Sequence, residues 1–259
     1  ATALAWELNA EGILAYDVGL IYGKRLKAKW NAGAARSGAG VTSIPQPADK
    51  ATVPVTVLMP VYNSERYVGD AVRSILSQTF GDFEFLIVND GSTDGSRDIL
   101  EGFRDPRLRL VHTENRGVAA ALRLGVGLAR GGFIARMDAD DESVPDRLDV
   151  QMRHMEGNPD AAVLYGLAAR LGGDKEGEIL GQGYGDGLTR WLVAWGNVIM
   201  HPTAMIRTSV LRRHGLNYRL EANRAEDLDL WNQVAGCAGF LFVPRVFVRY
   251  RIHGESVMQ

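Results

Sequence analysis

Val53-Pro54-Val55-Thr56-Val57-Leu58-Met59-Pro60-Val61 is a strand-like run of branched and apolar residues, ended by the polar break Tyr62-Asn63-Ser64-Glu65. Beyond the break, Val68, Ala71, Val72, Ile75 and Leu76 fall on one face of a helix. A second apolar run, residues 83–88, then opens into Asn89-Asp90-Gly91-Ser92-Thr93-Asp94-Gly95. Strand, helix, strand and polar glycine loop read as a right-handed crossover in a parallel sheet, in which ligands sit at the carboxyl ends of the strands. The fold class that follows is α/β, a mostly parallel central sheet flanked by helices. Gly91 and Gly95 permit tight backbone, and Asp90 at the strand end can accept from a base N–H or a ribose hydroxyl. An ordinary turn with a helix cap at Ser92 or Asp94 is the competing reading.

Residues 132–137 form a further apolar run that reads as a buried strand, and it delivers Met137-Asp138-Ala139-Asp140-Asp141. Three acids within four residues repel one another unless water, a metal or a basic partner screens them. A hard divalent ion such as Mg2+ or Mn2+ resolves the repulsion and keeps coordination positions open for diphosphate oxygens. Alternatively, Asp140 and Asp141 open a loop and cap the next helix, for which Ser143-Val144-Pro145-Asp146 supplies a start signal with proline in the first turn.

Five stretches stand in a familiar order and spacing: Val57-Leu58-Met59-Pro60-Val61-Tyr62-Asn63, Gln78-Thr79-Phe80, Glu84-Phe85-Leu86-Ile87-Val88 with the glycine loop through Gly95, Asn115-Arg116-Gly117, and Met137-Asp138-Ala139-Asp140-Asp141. In them the chain resembles the family 2 glycosyltransferases, over residues 53–256, close to four-fifths of its length. The resemblance implies a GT-A (Rossmann-like) fold, with one catalytic domain over 51–259. Its nucleotide-binding half would run from about 53 to 141 and its acceptor-binding half from about 142 to 259. It also implies that Tyr62 lies against the nucleotide base, that Pro60, Asn63 and Glu65 shape the same wall, and that Asp90 reads the base edge, with Ser92 and Ala139 beside the donor. A stacking ring plus one carboxylate suits uracil, whose N3–H a carboxylate accepts; thymine offers the same donor and guanine a related one, so a UDP-sugar is favoured. Arg116 reaches phosphate or base in this picture, or is an exposed loop arginine. Asp138 faces the ribose or the metal, and Asp140 binds the metal that bridges the diphosphate. Asp141 is left to orient Arg136 or Arg147 or to cap the following helix. Where the family often carries an asparagine after Asn115-Arg116-Gly117, this chain has Arg123 nearby, which puts one nucleotide contact in doubt.

In Arg224-Ala225-Glu226-Asp227-Leu228-Asp229-Leu230-Trp231, the residues Leu228, Trp231 and Val234 recur at spacings of three along a helix whose amino end carries Glu226 and Asp227. Acids there complement the helix dipole, worth roughly 0.3–1 kcal/mol. The resemblance implies more: Asp227 is the general base on the acceptor hydroxyl, Glu226 holds a neighbouring hydroxyl or orients the base, and the reaction inverts the anomeric centre. In Val248-Arg249-Tyr250-Arg251-Ile252-His253-Gly254-Glu255-Ser256, Arg249 and Arg251 share a sheet face, and the resemblance lets His253 complete the metal site. A histidine ligand favours Mn2+ over Mg2+; otherwise His253 is a solvent-exposed residue near the chain end.

Between the acid motif and this helix, residues 161–165 and 167–171 read as short strands, 172–187 as a glycine-rich lid or insert, and 203–206 as another strand. Trp191 and Trp195, at a spacing of four, are expected in the core, with stacking on a sugar as the other reading. Asn197 and His201-Pro202 follow, His201 as a site-lining residue.

Composition agrees. At 259 residues with 46% hydrophobic, one large core can form. A net charge of -2 and no dense Lys/Arg run give no sign of a nucleic-acid partner. Cys237 is the single cysteine, expected to pack on the apolar helix; with no internal disulfide, the chain suits a reducing cytoplasm. No unbroken apolar run is long enough to span a bilayer. Residues 1–30 carry a loosely helical stripe, Ile13, Leu14, Val18, Ile21 and Tyr22, followed by Lys24, Arg25, Lys27 and Lys29. That predicts an amino-terminal helical extension over 1–50, with 31–50 a linker; the helix is either peripheral at the inner face of the membrane or packed on the domain. The expected activity is metal-dependent transfer of a sugar to a glycan, lipid-linked or other hydroxyl acceptor, in the making of a surface glycan or polysaccharide. A noncatalytic nucleotide-sugar-binding module would lack an intact Glu226-Asp227 pair. A sugar-phosphate nucleotidyltransferase would carry a glycine-rich triphosphate loop after the first strand, and residues 60–66 contain no glycine.

Overall fold

The computed structural model describes residues 52–222 and 224–252, together with four residues of backbone near the amino end. Two compact units divide the chain, residues 1–43 and 44–259. In the first, strand β1 (Glu7–Leu8) pairs antiparallel with β2 (Leu14–Ala15), two short strands within the run expected to be helical. The remainder of the expected extension and linker, and His253, lie outside the described residues.

In the second unit β3 (Val53–Val61), α1 (Val68–Leu76), β4 (Phe83–Asp90), α2 (Ser96–Gly102), β5 (Leu108–Thr113), α3 (Val118–Leu128) and β6 (Gly131–Arg136) follow in turn. Then come β7 (Glu142–Ser143), α4 (Arg147–Gly157), β8 (Ala161–Leu171), β9 (Ile179–Leu180) and α5 (Asp186–Leu192). A 3-10 turn (His201–Thr203), β10 (Met205–Arg207), α6 (Thr208–His214), α7 (Glu226–Ala235) and β11 (Gly239–Arg251) complete it. The sheet order is β5-β4-β3-β6-β10-β8-β11-β7, with β9 on β8. Strands β5, β4, β3 and β6 are mutually parallel. The short β10 runs antiparallel between β6 and β8 and so joins the parallel half to the β8–β11 half.

Both faces of the sheet are covered, as strands rich in Val, Ile and Leu require. Along β3 the period of two divides the cores. Val55, Val57, Met59 and Val61 pack with Val68, Val72 and Ile75 of α1 and Leu148 and Met155 of α4. Leu58 faces the other way, with Leu86, Val88, Leu122 of α3, and Leu230, Trp231 and Val234 of α7. Helix α3 lies so close to β3 that a Cβ at Gly125 would fall 2.2 Å from Leu58 Cδ1.

Four local expectations are corrected. Residues 161–171 form one strand rather than two, continuing through Gly166, where a Cβ would fall 2.5 Å from the Phe247 ring. Val144 N–H donates to Phe247 O at 3.0 Å and Pro145 O accepts from Thr79 N–H at 2.9 Å, so this segment joins neighbouring chain and the helix starts only at Arg147. Cys237 is exposed, because α7 ends at Ala235, two residues before it. Trp191 and Trp195 are not core: α5 ends at Leu192 and buries Thr189 with the following Val193, leaving the two indoles 49% and 52% exposed.

At the amino ends of the parallel strands lies a closed polar cluster. Thr56 Oγ1 donates to Glu84 Oε1 at 2.6 Å, Arg130 N–H donates to the same oxygen at 2.6 Å, and Gly131 N–H donates to Thr56 Oγ1 at 2.8 Å. Arg109 lies 3.7 Å from the other Glu84 oxygen.

Candidate functional site

At the carboxyl ends of β3 and β4 two loops are laced together by short polar side chains. Asn63, in the left-handed region at φ 47, accepts on Oδ1 from Thr93 N–H at 2.8 Å, while its own N–H donates to Ser92 Oγ at 3.1 Å. Glu65 Oε2 accepts from Gly95 N–H at 2.7 Å, and Glu65 N–H donates to Asp94 Oδ2 at 3.0 Å. Asp94 also takes Ser96 N–H, the first amide of α2, at 3.0 Å, and these bonds hold its carboxyl below the ordinary range against the opposing effect of burial. Asn63, Glu65 and Ser92 thus brace a wall from which Tyr62 projects, 50% exposed. Pro60 is buried in β3, two residues before Tyr62.

Asp90 is buried and engaged. Oδ1 accepts from Arg116 N–H at 3.0 Å and Oδ2 from Gly117 N–H at 2.8 Å, which draws the Asn115-Arg116-Gly117 loop against β4. Gly91 makes the approach possible: it sits at φ 69, and a Cβ there would lie 2.6 Å from Asn115 N. Thr113 Oγ1 also donates to Oδ1 at 3.3 Å, so Oδ2, with one amide partner, keeps a lone pair for another donor. The Arg116 side chain is exposed, 3.7 Å from Glu114. Arg123 is committed elsewhere, donating to Tyr218 O at 3.1 Å.

The acid loop follows β6. One oxygen from each of Asp138, Asp140 and Asp141 fits within 4.8 Å of the others, with Ala139 buried between them. Arg136, buried, pairs with Asp138, and this attraction keeps the guanidinium charged although burial opposes it. Burial raises the Asp138 carboxyl against the pull of Arg136, with Asp140 and Asp227 adding to the rise. Asp141 is raised well above the usual range by burial and by the charges of Asp138 and Asp140. Its Oδ1 accepts from Arg251 N–H at 2.8 Å, and its Oδ2 is buried with no hydrogen-bond partner among the described residues. Of the roles expected for Asp141, the cap on the next helix is therefore replaced by a clamp on the end of β11. Arg251 adds a bond from Nε to Asp140 O at 2.9 Å and lies 4.6 Å over the Tyr67 ring. Arg249 turns to Glu142 at 2.7 Å and Glu176 at 3.2 Å. His253 begins two residues past this clamp, outside the described residues.

Facing this loop is the amino end of α7. Asp227 Oδ2 accepts from Asn197 Nδ2, and Oδ1 from Leu228 N–H at 2.7 Å. Glu226 is half-buried, its Oε2 has no hydrogen-bond partner among the described residues, and burial raises its carboxyl. Beneath lies His201, buried, with Nε2 2.8 Å from Tyr218 OH and its ring edge-on to Trp231 at 5.6 Å. Burial, then Arg136, pushes His201 well below its usual value, so it is a neutral ring under the site rather than a residue of its open wall. Arg147 is the second buried cation: it donates from Nη2 to Arg136 O at 2.7 Å and from Nε to Gln151 Oε1 at 3.0 Å.

The acids suit a hard divalent cation. They offer oxygen only, they are crowded enough to resist full ionisation, and buried oxygens of Asp141 and Glu226 are orphaned. Sequence alone did not assign three supporting residues: Arg136 as the partner of Asp138, Asn197 as the partner of Asp227, and Tyr218 as the partner of His201. Only Arg136 carried a signal, an arginine two residues before an acid pair on a strand of one face.

Residues 56–215 match the family described as glycosyl transferase family 2. An uncharacterized glycosyltransferase of Haemophilus influenzae is 30% identical over 220 residues, 78% of this chain and 66% of that protein. In fold, the chain is similar to residues 1–349 of S. aureus TarS in complex with UDP-GlcNAc, with a TM-score of 0.66 at 20% identity over 78% of this chain and 60% of that one. It is likewise similar to the mannosyltransferase PcManGT of Pyrobaculum calidifontis in complex with GDP-Man and Mn2+, with a TM-score of 0.61 at 22% identity over 92% and 67%. The chain spans 66% of the Haemophilus influenzae protein, 60% of the TarS 1–349 chain and 67% of the PcManGT chain. Among the described residues no helix is long and apolar enough to cross a membrane.

Proposed function

The chain belongs to glycosyl transferase family 2, and from that premise we propose that it moves a sugar from a nucleotide-diphosphate donor, a UDP-sugar foremost, to an acceptor hydroxyl with inversion. The observation that carries the reading is the convergence of Asp138, Asp140 and Asp141 with Asp227 at the carboxyl ends of the strands, close enough for Asp227 to act on the Asp138 charge. Asp138 and Asp140 would hold Mn2+ or Mg2+, with His253 a further ligand. The ion would neutralise the diphosphate as it leaves. Structures of similar fold in complex with UDP-GlcNAc, and with GDP-Man and Mn2+, support a nucleotide-sugar donor and a divalent ion without choosing the base.

The chain's own residues do the rest. Tyr62 offers its ring to the base, beside the wall braced by Asn63, Glu65 and Ser92, and Asp90 holds the Arg116 loop while keeping a lone pair for the base edge. Asp227 takes the acceptor proton as the hydroxyl oxygen bonds to the anomeric carbon; the bond to the phosphate oxygen breaks and its electron pair leaves with the diphosphate. Asn197 fixes the Asp227 carboxylate, and the orphaned Glu226 oxygen is placed to accept from a neighbouring acceptor hydroxyl.

Calorimetric titration with UDP, GDP and dTDP, each with and without Mn2+, tests this. Metal-dependent tightening for one nucleotide is the expected result. No binding of any of them by the folded chain overturns the assignment.

A further inference from the structure

Resting on the transferase reading, we propose that Trp191 and Trp195 form an acceptor subsite that stacks a pyranose ring and presents its hydroxyl, or that of the next ring, to Asp227. The two indoles are both half exposed, with centroids 5.9 Å apart and planes tilted by 46°. Leu188, three residues before Trp191 on α5, is exposed as well. Large exposed apolar rings held side by side are the kind of surface found at ligand-binding sites.

The segment bearing the tryptophans is held in place. Val193 is fully buried, its carbonyl accepts from Asn232 Nδ2 at 2.8 Å, and Arg190 Nε donates to Ala235 O at 3.1 Å. Both bonds run to α7, the helix that carries Glu226 and Asp227. Asn197, two residues after Trp195, donates to Asp227 itself. Two residues span at most about 7 Å, so the aromatic patch and the proposed base are linked by a short, fixed segment. The core-facing positions of the segment are taken by Thr189 and Val193, which leaves both indoles half exposed.

The chemistry selects the occupant. A pyranose has an apolar C–H face and a polar rim, matching indoles on a segment that also carries Arg190 and Asn197 and is tied through Asn197 to Asp227. A lipid surface would want an unbroken apolar face with cations around it. Here the one cation of the segment, Arg190, lies 3.8 Å from Asp186, and Asn197 leads to the carboxylate of Asp227.

The test uses the full chain, Trp191→Ala, Trp195→Ala, the two Trp→Phe variants, and Ile179→Ser as an exposed apolar control on β9. The probes are tetrasaccharides of β-linked glucose, β-linked N-acetylglucosamine and α-linked mannose, and vesicles of equal parts phosphatidylethanolamine and phosphatidylglycerol. Tryptophan emission and calorimetry read binding. At least one saccharide should quench emission. Affinity should fall about tenfold for each alanine variant, the equivalent of about 1.4 kcal/mol, with partial recovery in phenylalanine and none lost in Ile179→Ser. Melting temperatures should match the parent, since both rings are exposed. No response to any saccharide by a chain that binds its nucleotide overturns the subsite and leaves the transferase reading standing. So does a response unchanged in the alanine variants, or a vesicle response alone that the alanine variants lose. If no nucleotide binds, it is the transferase reading that has failed.

Discussion

At the amino ends of β3, β4 and β6, Thr56, Glu84 and the amides of Arg130 and Gly131 close a buried polar cluster at distances of 2.6–2.8 Å, with Arg109 against the remaining oxygen. At or just beyond the carboxyl ends of the same strands, Asp138, Asp140 and Asp141 crowd together, Arg136 neutralises one of them, and oxygens of Asp141 and Glu226 stay without hydrogen bonds. Both clusters are carboxylate-centred and sit on one sheet. The first contributes to stability, because a single carboxylate is met by a hydroxyl, an amide and the Arg109 cation, whose charge offsets the Glu84 oxygen left without a hydrogen bond, and the strands are tied at their origins. The second opposes stability in the free protein, since buried like charges repel. That opposition is what a cation and a diphosphate would relieve, so the difference separates the end of the sheet that holds the fold from the end proposed to do the chemistry.

Four measurements would break or sharpen this contrast. The largest effect is expected from Asp227→Asn, which should lower kcat by about a hundred- to ten-thousandfold, the usual contribution of a general base, while nucleotide affinity measured by calorimetry stays at the parent value. A matching loss of nucleotide affinity would make Asp227 part of the donor site instead. At the opposite end, Glu84→Ala should cost about 2–4 kcal/mol in urea unfolding, with kcat/KM per folded molecule unchanged, because it orphans the Thr56 hydroxyl and the Arg130 amide and removes the carboxylate beside Arg109. An activity change of the same size would dissolve the division between the two ends.

Mn2+ at about a hundred times its dissociation constant should stabilise the parent by about 2.7 kcal/mol, and Asp140→Asn should abolish the shift in melting temperature. A shift that survives in Asp140→Asn would move the ion elsewhere. The smallest effect concerns the neutral ring under the site. His201 binds a proton less readily folded than unfolded, so stability is full above the unfolded pKa of 6.5 and is lost as pH falls towards the lower folded value. This loss approaches one proton, at most about 1.4 kcal/mol per pH unit. His201→Gln should remove that component from urea melts taken between neutral and acid pH. An unchanged acid slope would mean that His201 already accepts a proton in the fold.

Much of the sheet could be read along the chain. Val53–Val61, Phe83–Asp90 and the run into Met137 carry strand signals strong enough to order themselves, and Asp90 and Asp138 stand at or within two residues of the ends of the second and third. Short strands were harder. Residues 161–171 were split at Gly166, a residue whose lack of a side chain serves the packing of Phe247 from a partner strand some eighty residues away, and no local pattern records that. Trp191 and Trp195 misled for a related reason: a four-residue spacing implies a buried stripe only if the helix lasts, and α5 stops at Leu192. Cys237 escaped the core in the same way, by lying past the end of α7.

By itself, then, the sequence determined the strand–helix alternation, the family, and the positions of the acids along the chain, because hydrophobic period and strand-end chemistry are local properties. Only the tertiary structure decided which partner each acid has. It set Arg136 on Asp138, Arg251 on Asp141, Asn197 on Asp227 and the Arg116 loop on Asp90. Those pairings join residues brought together by strand order and close packing, and whether a buried charge is satisfied or left waiting depends on its neighbours in space, not on its neighbours in sequence.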